Sequence, residues 1–229
     1  MIFDLDDTLL DHGGAVRDAL SAWLGADVGV DGSDVARVWS DLERRHYGDW
    51  QAGLVSLGEQ RRRRVRDLRR HLGRPDLGEE ELDRLFAGYL RHYQQAWRAF
   101  DDALPALDRL TACGVATVVL TNGSTAQQNA KIDAAGLRGP LRAVITSEEL
   151  GVAKPDPAAF LRTCERLGVP PGQTVHVGDR HDLDVVAARA AGLRAVHLDR
   201  QQVRPDPAGE RITTLGQLAG HPALARPGG

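Results

Sequence analysis

Three carboxylates, Asp4, Asp6 and Asp7, follow directly on the apolar residues Ile2 and Phe3 in "IFDLDDTLLD". Three further short apolar runs also end in polar groups. "VATVVL" leads into Thr121-Asn122-Gly123, "TVHVG" into Asp179 with Asp184 five residues on, and "RAVIT" into a loop that carries Lys154. Acids behind a strand often just open a loop or cap a helix. Brought together with a hydroxyl, backbone N–H groups and an ammonium, they would make a site instead. One carboxylate could act as nucleophile and a second as general acid and base, while the donors and the cation hold an anion.

The elements that would bring them together are legible in the periodicity. From Ala15 to about Arg98 the apolar residues recur at spacings of three and four, with breaks at "GADVGVDGSD", "HYGDWQAG" and "GRPDLGEE", which predicts about four helices. From Leu104 onward short apolar strands alternate with helices, as a parallel sheet with helices on both faces requires. Gly136, Gly168 and Gly192 fall where left-handed helix C-caps would fall. The expected architecture is an α/β, Rossmann-like core of residues 1–12 and 99–229, interrupted by an all-helical insert of residues 13–98. In open sheets of this kind ligands bind beyond the carboxyl ends of the strands, where the polar residues named above lie.

Bulk composition narrows the possibilities. A chain of 229 residues with 42% apolar content can bury a good core, and a net charge of -3 does not mark a binder of polyanions. No apolar run approaches the ~20 residues that span a bilayer. Cys113 and Cys164 form neither a CxxC motif nor a disulfide framework, which suits core thiols in a reducing cytosol, so a cytoplasmic protein is expected. Of 29 basic residues only Lys131 and Lys154 are lysines, so each merits inspection. "RRRRVRDLRR" lacks interleaved aromatic residues and reads as a solvated helix face rather than a nucleic-acid site. The lead into the first strand, Met1 to Phe3, is short, which fits either a short strand or a start placed too far downstream.

In this order "DLDDT", "LTNGS", "KPDP" and "GDRHDLD" resemble the four motifs of the haloacid dehalogenase superfamily of phosphohydrolases, over essentially the whole chain. The helical insert resembles that superfamily's type 1 cap, and "TNGSTAQQNAKI" with "ITSEELGVAKPDPAAF" is similar to the branch of pyrimidine 5'-nucleotidases and N-acylneuraminate-9-phosphatases. The resemblance implies a phosphatase acting on a small phosphorylated metabolite, such as a nucleotide or sugar phosphate, through an aspartyl-phosphate. Asp4 is then the nucleophile and Asp6 the acid and base, with Thr121, the backbone of Asn122 and Gly123, and Lys154 binding the phosphoryl group. Four carboxylates in one site need a counter-cation, and oxygen ligation suits Mg²⁺ on Asp4, the Asp6 carbonyl and Asp179, with Asp184 holding Lys154 or a metal-bound water. Asp7 reads as a turn residue and Asp182 as a helix N-cap.

The same scaffold also supports dehalogenases, phosphomutases and non-catalytic binding proteins. Dehalogenase relatives lack the second Asp of the first motif, and this chain has Asp6. In the insert, the loop expected around "RRHYGDW" offers His46, Tyr47 and Trp50 to a leaving group. An apolar stripe of Leu54, Leu57, Val65, Leu68 and Leu72 passes through Arg61, a further candidate for reading substrate. A monomer or homodimer is expected, with no nucleic-acid polymer or membrane as partner.

Overall fold

The structure is a computed structural model that describes residues 1–25, 32–202 and 210–221. It divides into two compact units, Met1–His12 with Arg98–Gly229, and Gly13–Trp97.

The first unit is built on a parallel sheet ordered β3-β2-β1-β4-β5-β6, from β1 (Ile2–Phe3), β2 (Thr117–Thr121), β3 (Leu141–Thr146), β4 (Val175–Gly178), β5 (Arg194–Leu198) and β6 (Arg211–Ile212). The α/β Rossmann-like class is thus borne out, with β6 an addition that the periodicity did not reveal. β1 and β2 are buried throughout, as expected for strands covered on both faces. Ile2, Val118, Leu120, Phe160 and Val185 share one apolar cluster. β1 is only two residues long, yet Phe3 pairs with Val119 on one side and Val177 on the other. Chain order reverses here, since the strands on either side of β1 lead on to β3 and to β5. A crevice opens at such a switch point.

The chain leaves this unit and re-enters it at adjacent places. Leu10 bridges Ala99, the Asp11 N–H donates to the Arg98 carbonyl at 3.0 Å, and the Arg98 guanidinium meets Asp11 at 2.7 Å. Helices α5 (Ala103–Ala112), α6 (Thr125–Ala134), α7 (Ser147–Leu150), α8 (Pro157–Leu167) and α9 (Ala187–Ala190) connect the strands. Gly136, Gly168 and Gly192 have φ of 68°, 65° and 82°, the left-handed conformation that ends a helix at little cost only for glycine. Cys164 is buried as expected, whereas Cys113 is exposed because it sits at the end of α5, off the buried face of Ala106, Leu107 and Leu110.

The second unit holds most of α1 (His12–Leu24), with α2 (Gly32–Gln51), α3 (Leu57–His71) and α4 (Glu79–Gln95). Trp39 is fully buried at its centre, edge-on to Tyr89 at 4.7 Å and beside Trp23 at 5.9 Å. Three expectations are corrected here. "HYGDW" is not a loop: α2 continues through it, tolerating Gly48, and the chain turns only at Gly53 with φ 71°. Leu54 precedes α3 and is 73% exposed, so the stripe that α3 buries is Gln60, Arg64, Val65 and Leu68, with Arg61 beside it. The basic run is not simply solvated. Arg62 forks onto Asp83 at 2.8 and 2.7 Å, and Arg64 is buried 4.4 Å over the Trp39 ring with Glu43 at 3.1 Å. Arginine suits that place because its weakly hydrated plane stacks on an aromatic face. Among the described residues, no helix is long and apolar enough to cross a membrane.

Candidate active site

The carboxyl ends of β1, β2 and β4 and the loop after β3 meet in one cleft of about 180 Å³, lined by Asp4, Asp6, Thr121, Asn122, Lys154, Asp179 and Asp184 among others. Asp4 continues the strand, its N–H donating to the Val177 carbonyl at 2.9 Å, so the sheet fixes its backbone. Lys154 is buried between two acids, donating to Asp4 Oδ1 at 2.6 Å and Asp184 Oδ1 at 2.7 Å. Asn122 holds that lysine in place: its amide donates to the Lys154 carbonyl at 2.7 Å and its Oδ1 accepts from the Lys154 N–H at 2.9 Å. As expected, Asp156 and Pro157 start α8 as N-cap and first residue.

Asp184 has partners for both oxygens. Its Oδ1 also accepts from the His176 ring at 2.9 Å, and its Oδ2 from the Arg180 N–H at 3.1 Å. A Cβ added at Gly178 would lie 2.3 Å from Asp184 Cγ, so glycine at the end of β4 is what lets this carboxylate approach the strand. Gly178→Ala should therefore displace Asp184, loosen Lys154, and cost about 1–3 kcal/mol of stability. Its Tm and kcat should both fall, and wild-type values for both would contradict the packing argument. Thr8 joins the ends of β1 and β4: its hydroxyl accepts from the Asp179 N–H at 3.1 Å and faces Asp179 Oδ1 at 3.4 Å.

Asp6 is paired differently. Lys131 donates to both its oxygens at 2.7 and 2.8 Å, and Gln128 reaches its Oδ2 at 3.2 Å and Thr121 Oγ1 at 2.6 Å. Asp7 has φ 59°, a left-handed turn conformation that Asp tolerates, in keeping with its reading as a turn residue. Asp182 is not the N-cap: the helical turn begins at His181, and the Asp182 carboxylate meets Arg180 at 3.2 Å. Gly123 does not line the cleft, because its φ of 146° turns the chain and its N–H donates to Ser147 Oγ at 2.9 Å.

The electrostatics divide the acids into two sets. Burial first, and the neighbouring Asp184 and Asp6 after it, push Asp4 up to about 7 against the pull of Lys154. Burial and then Asp4 hold Asp179 well above the usual carboxylate range. Burial would raise Asp184 too, but Lys154 and His176 hold it below that range. Asp6 is likewise held low, by Lys131 and then His12, against burial. Carboxylate oxygens of Asp4, Asp179 and Asp184 lie within 4.8 Å of one another. A divalent cation fits there: the ammonium of Lys154 is shared between Asp4 and Asp184, which is too little to keep Asp4 and Asp179 in the ordinary carboxylate range, and the donors on offer are all oxygen.

The candidate residues of the insert lie in the second unit. His46 is buried with Nε2 2.8 Å from Asp67, which ties α2 to α3. Tyr47 and Trp50 pack on each other at 5.0 Å, and the Arg61 guanidinium lies 5.2 Å from the Phe86 ring centre. Thr8, Gln128, Lys131 and His176 were not singled out as site residues from the sequence. Lys131 had given a signal as one of two lysines among 29 basic residues, and Thr8 as the last residue of "DLDDT".

Residues 1–192 match the family described as haloacid dehalogenase-like hydrolase. A phosphoserine phosphatase of Thermus thermophilus is 30% identical over 95% of each chain. An (S)-2-haloacid dehalogenase of Burkholderia cepacia is 26% identical over 98% of this chain and 94% of its own. Among solved structures, the magnesium-bound HAD-hydrolase YfnB of Bacillus subtilis superposes with a TM-score of 0.79, covering 98% of this chain and 97% of that one at 21% identity. With acids, lysine and hydroxyl gathered at the switch point of its sheet, the chain belongs to the haloacid dehalogenase-like hydrolases and is an enzyme of that family.

Proposed function

We propose that the enzyme is a Mg²⁺-dependent phosphatase that hydrolyses a small phosphorylated metabolite, a nucleotide or sugar phosphate, through an aspartyl-phosphate on Asp4. The observation that carries this reading is the geometry around Asp4. One of its oxygens is held by buried Lys154, and a second carboxylate, Asp6, stands two residues on with its own partners. A carbon–halogen hydrolase has no leaving oxygen to protonate and no use for Asp6 in that role.

In the first step Asp4 attacks phosphorus, the ester P–O bond breaks, and the leaving oxygen takes a proton from Asp6. In the second, water attacks phosphorus, Asp6 takes the water's proton, and the Asp4–P bond breaks to release inorganic phosphate. Held ionised by Lys131, Asp6 is already the base that the second step needs. For the first step it must take up a proton, which a phosphate arriving as its monoanion carries. Lys154 and the Thr121 hydroxyl bind the phosphoryl oxygens, where negative charge shifts during transfer. Asp4 and Asp179, with the Asp6 carbonyl, would hold Mg²⁺, which supplies charge neutralisation at the phosphoryl oxygens. Asp184 keeps Lys154 in place rather than offering a free oxygen.

A screen of phosphorylated metabolites and 2-haloacids with Mg²⁺ tests the reading. Phosphate release from at least one ester is expected, with no halide release. Halide release without phosphatase activity would overturn it. The helical insert is proposed to choose among substrates, with Arg61 and Trp50 as its reading residues. Arg61→Ala and Trp50→Ala should then raise KM for the best metabolite while sparing acetyl phosphate. Equal losses on both substrates would assign these residues to folding.

A further inference from the structure

Helix α6 contributes two buried polar side chains whose partners lie in the site, and the two chemical steps above assign neither a task of its own. Lys131 is 3% exposed and Gln128 2%, and their spacing of three puts them on one face of the helix. Burying an ammonium is expensive unless it is paired. Lys131 donates to both oxygens of the Asp6 carboxylate, 125 residues away in the chain. Gln128 fixes the relation of that carboxylate to the phosphoryl-binding side, since one amide nitrogen reaches Thr121 Oγ1 at 2.6 Å, Asp6 Oδ2 at 3.2 Å and the Asn122 carbonyl at 3.5 Å.

The identity of the cation matters as well. This chain uses arginine almost everywhere, yet both of its lysines ion-pair with aspartates of the cleft. An arginine fork would lock both carboxylate oxygens in two parallel bonds. A lysine's compact charge meets both oxygens from a single point, and each oxygen keeps a second lone pair for a proton or a water.

We propose that Lys131, supported by Gln128, is a positioning residue for the acid–base step: it holds the Asp6 carboxylate where the leaving oxygen and then the attacking water must meet it. This rests on the phosphatase reading with Asp6 as acid and base. If Lys131 acts only through Asp6, its removal should cost nothing once Asp6 can no longer transfer protons.

The test is a double-mutant cycle on the Mg²⁺-loaded enzyme with the best ester from the screen, comparing wild type, Asp6→Asn, Lys131→Met and the double variant. Lys131→Met is expected to lower kcat about 10- to 100-fold, as loss of a supporting partner does at other sites. KM and the Mg²⁺ concentration for half-activity should stay within about twofold. Asp6→Asn and the double variant should have the same kcat. Lys131→Arg should recover the fold but only part of kcat. If Lys131→Met fails to fold, Gln128→Leu takes its place in the cycle, with the same non-additivity expected. Losses that multiply, a change in KM alone, or an unchanged kcat in the folded variant would each overturn the role of Lys131. Wild-type kcat in Asp6→Asn would instead overturn the assignment of Asp6, which the first arm of the cycle reports separately.

Discussion

Replacing Asp4 by Asn should reduce turnover of ordinary phosphate esters to background, a loss on the order of 10⁴-fold or more, because the variant keeps the shape of the side chain and loses the nucleophile. The fold should survive. The neighbours of Asp4 are positioned by other contacts: Lys154 stays bonded to Asp184 and, through its backbone, to Asn122. The same replacement should raise the Tm of metal-free protein at pH 8. Burial and the nearby acids push Asp4 up to about 7, so at pH 8 the folded chain carries a charge its surroundings disfavour, and a neutral amide relieves it. The variant would be inactive and more heat-resistant, which separates loss of chemistry from loss of structure. Steady turnover of unactivated esters by folded Asp4→Asn would remove Asp4 from its role.

That stability trade explains why charge stands behind the first strand at all. It also shows what a linear sequence can carry. The later strand ends were readable because apolar runs of about five residues alternate with helical patterns between turn signals, and the short first strand was readable from the acids behind it. Each run ended in its own polar group. Once the strands were ordered around β1, Asp4, Thr121, Lys154 and Asp179 had to converge.

Partnerships across the fold were not readable in this way. Lys131 sits in an ordinary helical pattern, and only the packing of α6 against the sheet shows that it faces Asp6. Thr8 looked like part of a motif, and the structure shows what it does: it ties the loop after β1 to the Asp179 backbone. The insert was read least well, for a related reason. Gly48 and a polar stretch suggested a break, but Trp39 on the same helix buries against Tyr89, and the His46–Asp67 bond holds the later part to α3. Tertiary packing there outweighs the local cost of a glycine in a helix. Arg64 likewise could not be told from its neighbours in a run of arginines until its stacking on Trp39 was seen.

Removing the metal should abolish activity, and restoring Mg²⁺ should recover it, with Ca²⁺ a poor substitute because its larger and looser coordination shell misplaces the attack. A second consequence follows from the acids themselves. Asp4 is pushed up to about 7 and Asp179 well above its ordinary value, burial being the first cause of each. A carboxyl raised in the folded state keeps a proton that the unfolded chain has already lost. Folded protein then binds more protons, and its stability falls as pH rises from about 4 through the folded value. Asp6 and Asp184 are held low, so their stabilisation is complete above pH ~4 and does not change across this range. His176, lowered by burial, works in the opposite sense, but only below its ordinary value of 6.5. The Met1 amine, also lowered by burial, opposes the acids near pH 8, and does so equally with or without metal.

The difference between metal-loaded and metal-free protein therefore isolates Asp4 and Asp179. At pH 6 the cation must displace protons from them, while at pH 8 it meets carboxylates closer to full charge. With Mg²⁺ fixed at about 100-fold above its Kd at pH 8, the Tm should rise by roughly 5–10 °C at pH 8 and by less at pH 6. Thermal melts at both pH values, with Mg²⁺ and with EDTA, measure the two increments, and Asp179→Asn should shrink the one at pH 8. An increment that is absent, or as large at pH 6 as at pH 8, would mean that the cation does not bind at these two carboxylates.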